Sequence, residues 1–208
     1  MTIRPATEAD IPAIMEIERT PGFDRYVGRS EAAQHEAMMA AADCRYLLLA
    51  DETGPAGFAI LQGIGAPSQV IYLKRIAIRS PGKGLGKWFL SELIRLSFED
   101  YGAEKFWLDA FETNARARHV YTSCGLQFDG VLREHYPLAD GTRANLVVMS
   151  ILKREWLLAE AQRQSRVVEE ADAHDPEIAD FMEAAFVDIG RSVADPSVVI
   201  LGPVVQRI

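Results

Sequence analysis

With 208 residues, 49% hydrophobic and 25% charged, the chain has the makeup of a globular protein of one domain with an appendage, or of two small domains. A formal charge of −8 argues against a general nucleic-acid binder, and no apolar run approaches the ~20 residues of a membrane span. Two cysteines (Cys44 and Cys124), four histidines without metal-ligand spacing and an opening without a signal-peptide pattern lead us to expect no disulfide framework, no metal, no membrane and a cytoplasmic location.

The chain opens on a short strand over residues 2–6. Thr7-Glu8-Ala9-Asp10 has the form of a capping box, and Ile11, Ile14, Met15 and, less regularly, Glu18 mark an amphipathic first helix. Pro21-Gly22 breaks it. Phe23-Asp24-Arg25-Tyr26 reads as irregular, and Ser30 as the cap of an alanine-rich second helix running to about Ala42. Strand patterns over 45–51, 57–65 and 70–79 are separated by Thr53-Gly54-Pro55 and Ala66-Pro67-Ser68, which predicts an antiparallel meander.

The next stretch organises the rest of the chain. Arg79-Ser80-Pro81 ends the third strand of the meander, and glycines stand at alternate positions, Gly82, Gly84 and Gly86, with Lys83 and Lys87 among them. Trp88, Phe89, Leu93, Ile94 and Leu96 then recur at helical spacing. A strand, a side-chain-free turn and a helix N-terminus form a place where backbone N–H groups can meet a phosphate. Three residues, not four, separate Gly82 from Gly86-Lys87, and Trp88 stands where a magnesium-binding Ser or Thr would be, so the Walker loop does not fit. The dinucleotide fingerprint G-x-G-x-x-G does not fit either. What remains is either plain turn chemistry at a helix start or a pyrophosphate cradle of the kind that serves coenzyme A.

Residues 105–111 form a further strand, which the crossover makes parallel to the one before the glycine loop. Asn114 suits a helix N-cap, Tyr121 lies seven residues along the same helix and so on nearly the same face, and Gly125 suits its C-terminus. Cys124 near His119 invites a nucleophile reading, but five residues apart they share a helical face poorly, and a core-filling thiol is the better assignment. Residues 126–138 and 143–152 flank Asp140-Gly141, a hairpin turn.

Together the two constellations resemble the GNAT superfamily of acetyl-CoA-dependent N-acetyltransferases, whose motifs are a loop of the form [QR]-x-x-G-x-[GA] and a later N-x-x-[AR]-x-x-x-Y-x-x-x-G-F. Pro81-Gly82-Lys83-Gly84-Leu85-Gly86 is set against the first, with Pro81 in place of Arg or Gln. Asn114…Tyr121…Gly125-Leu126 is set against the second, with Leu126 in place of Phe. Arg133-Glu134 through Gly141 looks most like the branch that acetylates ribosomal-protein N-termini and related amines.

The resemblance covers residues 1–156 and implies an α+β fold, a mixed and mostly antiparallel sheet with helices on both faces. It implies acetyl transfer to a primary amine, a protein N-terminus or a small molecule, with Tyr121 as general acid toward the coenzyme A sulfur. Gly82, Lys83, Gly84, Leu85, Gly86 and Lys87 would hold the pyrophosphate of acetyl-CoA. Backbone of Ile76, Ala77 and Ile78 would meet the thioester, and Asn114 would hold the pantetheine arm or the tyrosine. Asp109 is the base candidate, weighed against plain strand-edge solvation or pairing with Lys105. Glu112 is a weaker candidate, and Asp24 and Glu134 are possible liners of the acceptor side. The rival reading is a non-catalytic acyl-CoA-binding module of the same fold.

Residues 157–208 fall outside the resemblance. They carry four basic and ten acidic groups, net −6, against 18 and 20 in residues 1–156. A helix continuing from Trp156, a second from Asp175-Pro176 and a β-prone end over 197–208 make an acidic extension, with a homodimer contact as its expected role.

Overall fold

Every residue from Tyr46 to Leu49 and from Phe58 to Leu61 is buried, an unbroken run that a strand achieves only when both faces of its sheet are covered. The computed structural model describes residues 1–172 apart from Asp24, Pro81 and Lys83, and in it these runs are central strands of a seven-stranded sheet. The strands are β1 (Thr2–Pro5), β2 (Cys44–Asp51), β3 (Gly54–Gln62), β4 (Val70–Ile78), β5 (Lys105–Phe111), β6 (Gln127–Pro137) and β7 (Arg143–Leu152), ordered β1-β2-β3-β4-β5-β7-β6. Only β4 and β5 pair in parallel. The mixed, mostly antiparallel sheet expected from the sequence is therefore the sheet observed.

Alternation along the strands makes two cores. Leu47, Leu49, Ala59, Leu61, Ile71, Leu73, Phe106, Leu108, Met149 and Ile151 face helix α3 (Leu85–Glu99), whose Phe89, Leu90, Leu93, Ile94 and Phe98 are fully buried. Tyr46, Leu48, Phe58 and Ile60 face the other way, toward Ile14 and Ile17 of α1 (Ile11–Glu18). The first helix thus buries Ile17, whereas Met15 is half-buried, and Glu18 lies fully inside. Asp10 receives Arg4 in a two-pronged ion pair (2.6 and 2.8 Å) and accepts the Thr7 N–H at 2.8 Å, so the capping box closes a single 3-10 turn ahead of α1.

Helix α2 (Ala32–Met39) is shorter than its sequence suggests and is capped by Glu31, whose N–H donates to Gln34 Oε1 at 2.9 Å. Ser30, expected as the cap, instead turns its N–H inward to Glu18. The helix stops at Met39, with Ala40 as its C-cap.

Helix α4 (Ala115–Ser123) follows β5, and α5 (Lys153–Asp172) follows β7. Met1–Trp156 forms one compact unit, and the remainder, from Leu157, a second. No described helix is long and apolar enough to cross a membrane. The second helix and β-prone end expected beyond residue 172 lie outside the described residues.

Two irregularities in β4 shape its surroundings. Opposite β3 the register slips between Ile60 and Leu61, which pair with Arg75 and Leu73, so Lys74 is an extra residue bulged out of the ladder. A one-residue slip exchanges the faces. Ile71 and Leu73 point to α3 before the bulge, and Ile76 and Ile78 do so after it, which frees Arg75 and Ala77 for the α1 side. The second irregularity is an early end to pairing with β5. The last partners are Leu73 and Leu108, and the two strands run on unpaired to Ile78 and Phe111.

Candidate active site

Where β4 and β5 part, a cavity of about 350 Å³ opens. Ile76, Ala77 and Ile78 of β4 form one wall, Gly86 and Leu90 at the start of α3 the floor beside it, and Asn114, Ala117 and Tyr121 of α4 the opposite wall. Parallel pairing would have filled this gap with ladder hydrogen bonds. Its absence leaves the alternate N–H groups of β4 that point away from β3 facing open space.

The glycine loop meets the same cavity through Gly86. Gly82 (φ +116°) and Gly84 (φ +74°) adopt the left-handed region, and nothing lies within 4 Å of where their β-carbons would be. Gly84 is the N-cap of α3, and its carbonyl accepts the N–H of both Lys87 and Trp88 at 3.1 Å. The amides ahead of these sit at the open N-terminus of a 15-residue helix, the end where an anion is favoured. Lys87 is exposed on the first turn, and Leu85 and Gly86 are half-buried. Pro81 and Lys83 lie outside the described residues.

Gly86, the last glycine of the motif, lies in the first turn of α3, where a β-carbon would stand 3.8 Å from Ile78 Cγ1. Pro81, the first departure from the motifs, is outside the described residues. Leu126, the other departure, is 2% exposed in the α3-side core, where it replaces one buried apolar side chain by another.

Asn114 accepts the Ala117 N–H at 3.1 Å as the N-cap of α4, and Gly125 (φ +92°) ends the helix. Two turns on, Tyr121 reaches the same cavity, as the spacing predicts. Its hydroxyl makes no hydrogen bond among the described residues. Burial, with the nearby charge of Asp109, pushes its pKa up to about 12, so the proton stays on the phenol at neutral pH.

Asp109 is the first residue of β5 beyond the last β4 pair. It does not pair with Lys105, whose ammonium bonds Asp129 at 2.9 Å. Instead Oδ2 accepts the hydroxyl of Tyr72 at 2.8 Å, and Tyr72 is itself stacked on Trp107 (centroids 4.3 Å, planes 24° apart). Asp109 is half-buried and is not on the cavity wall; its influence at Tyr121 is through charge. Glu112 is exposed and occupied by Asn145 Nδ2 at 2.9 Å, and Asn145 Oδ1 accepts the N–H of Glu134, an exposed residue held at φ +49°. Asp24 lies outside the described residues. Cys124 Sγ lies 3.6 Å from Ser91 Oγ and from the Lys87 carbonyl, between α3 and α4, consistent with a packing thiol.

Sequence reasoning missed a third wall. Gly22, Phe23, Tyr26 and Val27, from the connection after α1, line the cavity, and so does Arg116. Tyr26 also begins an aromatic run, 5.9 Å from Phe111, which stands 5.0 Å from Tyr136 of β6. The available signal was three apolar or aromatic residues in an otherwise irregular segment, which only the approach of β4 makes meaningful.

Comparison with known proteins places this geometry. Residues 11–126, more than half of the chain, match the Acetyltransferase (GNAT) family. A [ribosomal protein bS18]-alanine N-acetyltransferase of Haemophilus influenzae is 32% identical over 94 residues, covering 45% of this chain and 62% of that protein. The chain thus spans less than two thirds of that relative's length, and less still of the spermine/spermidine N(1)-acetyltransferase of Bacillus subtilis, 41% identical over 64 residues (30% of this chain and 42% of that one). Among solved structures, the ribosomal-protein-S18-alanine N-acetyltransferase of Escherichia coli superposes with a TM-score of 0.61 at 26% identity, over 73% of this chain and 92% of that one.

Proposed function

Since the chain belongs to the GNAT acetyltransferase family, we propose that it transfers an acetyl group from acetyl-CoA to a primary amine, either a protein N-terminus or a small-molecule amine. The observation that carries the reading is one cavity at the β4–β5 parting that collects the unpaired backbone of Ile76–Ile78, the helix end behind Gly84, and a protonated Tyr121. The names of the relatives, which act on the alanine N-terminus of a ribosomal protein and on polyamines, support the two acceptor classes.

In this reading the pyrophosphate of acetyl-CoA lies against Gly82, Lys83, Gly84, Leu85, Gly86 and Lys87, where open glycines let the backbone approach and the helix N-terminus favours negative charge. The thioester carbonyl meets a β4 N–H turned away from β3, which stabilises the oxygen as charge develops on it. Asn114 borders the pantetheine path. The neutral amine attacks the carbonyl carbon, the C–S bond breaks, the Tyr121 hydroxyl gives its proton to the departing thiolate, and the proton that the nitrogen sheds on becoming an amide returns through solvent to the phenolate.

The attacking amine must first be free of its own extra proton. A lysine-like amine with pKa ~10.4 is neutral in about one molecule per few thousand at pH 7, whereas an α-amine near 8 is neutral in roughly one of ten. Asp109, which stands off the cavity wall, takes the proton through water. Tyr72 occupies only Oδ2, which leaves Oδ1 open as the acceptor.

Incubation with acetyl-CoA and either an alanine-initiated peptide or spermine, read as free thiol, tests the proposal. Thiol release with neither, alongside retained coenzyme binding, would replace it by the acyl-CoA-binding module. We place the reaction in the cytoplasm, in keeping with two free cysteines. We assign residues 157–208 to a separate extension that pairs two copies of the chain, supported by the exposed Leu157, Leu158 and Val167 of α5. Sedimentation of Leu158→Glu, expected to be monomeric, tests that assignment.

A further inference from the structure

Glu18 is fully buried at the end of α1, and the acetyl-transfer chemistry makes no use of it. Its Oε1 pairs with Nη1 of Arg75, the residue that the Lys74 bulge turns to this face. Oε2 accepts the Ser30 N–H at 3.1 Å and faces His35 Nε2 at 3.3 Å. His35 is also fully buried, with the Tyr46 hydroxyl 3.0 Å from Nδ1. Since a carboxylate can only accept, the Nε2–H of His35 donates to Glu18.

The network has a direction. Arg75 Nη1 also reaches Ser30 Oγ at 3.3 Å, and its guanidinium packs so close to Gly28 that a β-carbon there would stand 2.7 Å from Nη2. Arg75 therefore grips the end of the connection between α1 and α2 at two successive points. That connection supplies Phe23, Tyr26 and Val27 to the cavity, and the residue after Arg75, Ile76, begins the β4 wall. Two walls of one cavity, from segments 45 to 57 residues apart in sequence, are joined from behind by Arg75 Nη1, which donates charge-assisted hydrogen bonds to both Glu18 Oε1 and Ser30 Oγ.

We propose that Glu18 and Arg75 are a positioning pair for the transfer cavity, holding the α1–α2 connection against β4 and thereby setting the width available to the acceptor. The role rests on the acetyl-transfer reading of that cavity. Neither residue touches the cavity, so neither is catalytic. A lysine at 75 would keep the charge and lose the planar guanidinium that packs on Gly28 through Nη2 while Nη1 bonds Glu18 and Ser30, and a glutamine at 18 would keep an acceptor for Ser30 and lose the ion pair.

The test compares wild type with Glu18→Gln and Arg75→Lys, using an alanine-initiated peptide and spermine as acceptors, with amide exchange followed over residues 22–30. Both variants should raise the acceptor KM by about tenfold, the scale on which sub-ångström misplacement acts, with kcat and the KM for acetyl-CoA within about twofold of wild type. Exchange should quicken over 22–30 and not in β2 or β3. An unchanged acceptor KM overturns the proposal, and so does a fall in kcat with faster exchange throughout the core, which is the pattern of a merely structural pair. If a single variant fails to fold, Glu18→Leu/Arg75→Met, which leaves no lone buried charge, is read by the same criteria. If wild type acetylates neither amine, the transfer reading fails, and exchange over 22–30 in Glu18→Gln still decides whether the pair holds the wall.

Discussion

Tyr121→Phe removes one hydroxyl and leaves the ring that helps to wall the cavity. Because that hydroxyl has no hydrogen-bond partner among the described residues, its loss strands no buried donor or acceptor, and stability should change by no more than about 0.5 kcal/mol. Coenzyme affinity should stay within a few-fold, since the Gly82–Lys87 loop proposed to hold the pyrophosphate is untouched. Turnover should fall by about 10²-fold, the low end for a positioned acid, equivalent to about 2.7 kcal/mol of lost transition-state stabilisation. The pH profile carries the sharper content. An acid with a pKa pushed up to about 12 is lost only as pH rises through that value, so wild-type kcat should show no falling limb from Tyr121 below about pH 11. Single-turnover transfer of radiolabelled acetyl, from pH 6 to 10, reads both quantities free of product release. Equal single-turnover rates for the two proteins, or a falling limb near pH 9 that vanishes in Tyr121→Phe, would refute the reasoning.

Gly84→Val should abolish acetyl-CoA binding in calorimetry, and its melting temperature should fall by the few degrees that about 1–2 kcal/mol represents, because φ +74° strains a β-branched residue even where its side chain has open space. Asp109→Asn should make kcat/KM depend more steeply on pH and regain part of its activity near pH 9, where more amine is already neutral; a profile parallel to wild type would make Asp109 structural. Removing that charge should also lower the Tyr121 pKa, seen by ultraviolet titration of the phenol. Asp10→Asn should lose about 1–2 kcal/mol at pH 7. The Arg4 hydrogen bonds, helped by Thr7, hold the Asp10 carboxyl well below the usual carboxylate range, so its contribution is present above the unfolded value near 4 and disappears as pH falls below it. Urea melts of the two proteins should therefore converge toward pH 2.

Elements whose signals are local were legible in the chain. Gly84 and Gly125 sit where only a residue without a β-carbon adopts a positive φ cheaply, and Asn114 caps α4 through its own side chain. Asn114 and Tyr121 share a face because seven residues make almost two whole turns. The meander, the parallel β5 and the Asp140-Gly141 hairpin likewise follow from strand periodicity and turn chemistry that act over a few residues. Helix α2 shows the limit of such signals: Ser30 has the right chemistry for a cap, and a buried carboxylate 12 residues earlier takes its N–H instead.

Tertiary structure decided what depends on pairs distant in sequence. Whether Asp109 meets Lys105, four residues before it, or Tyr72, 37 residues before it, cannot be read from β5, because both partners are chemically adequate and only the packing of β4 beside β5 chooses. Tyr26 becomes a cavity wall, and Glu18 an interior carboxylate, only once Arg75 stands opposite them, and Arg75 stands there because one extra residue at Lys74 reverses the faces of β4. Backbone conformation is a property of each residue and its near neighbours, so the sequence alone determined the glycine turn before α3 and the face of α4 that Tyr121 shares with Asn114. The width of the cavity between them is set by contacts across dozens of residues, whose free energies exist only after the chain has closed on itself.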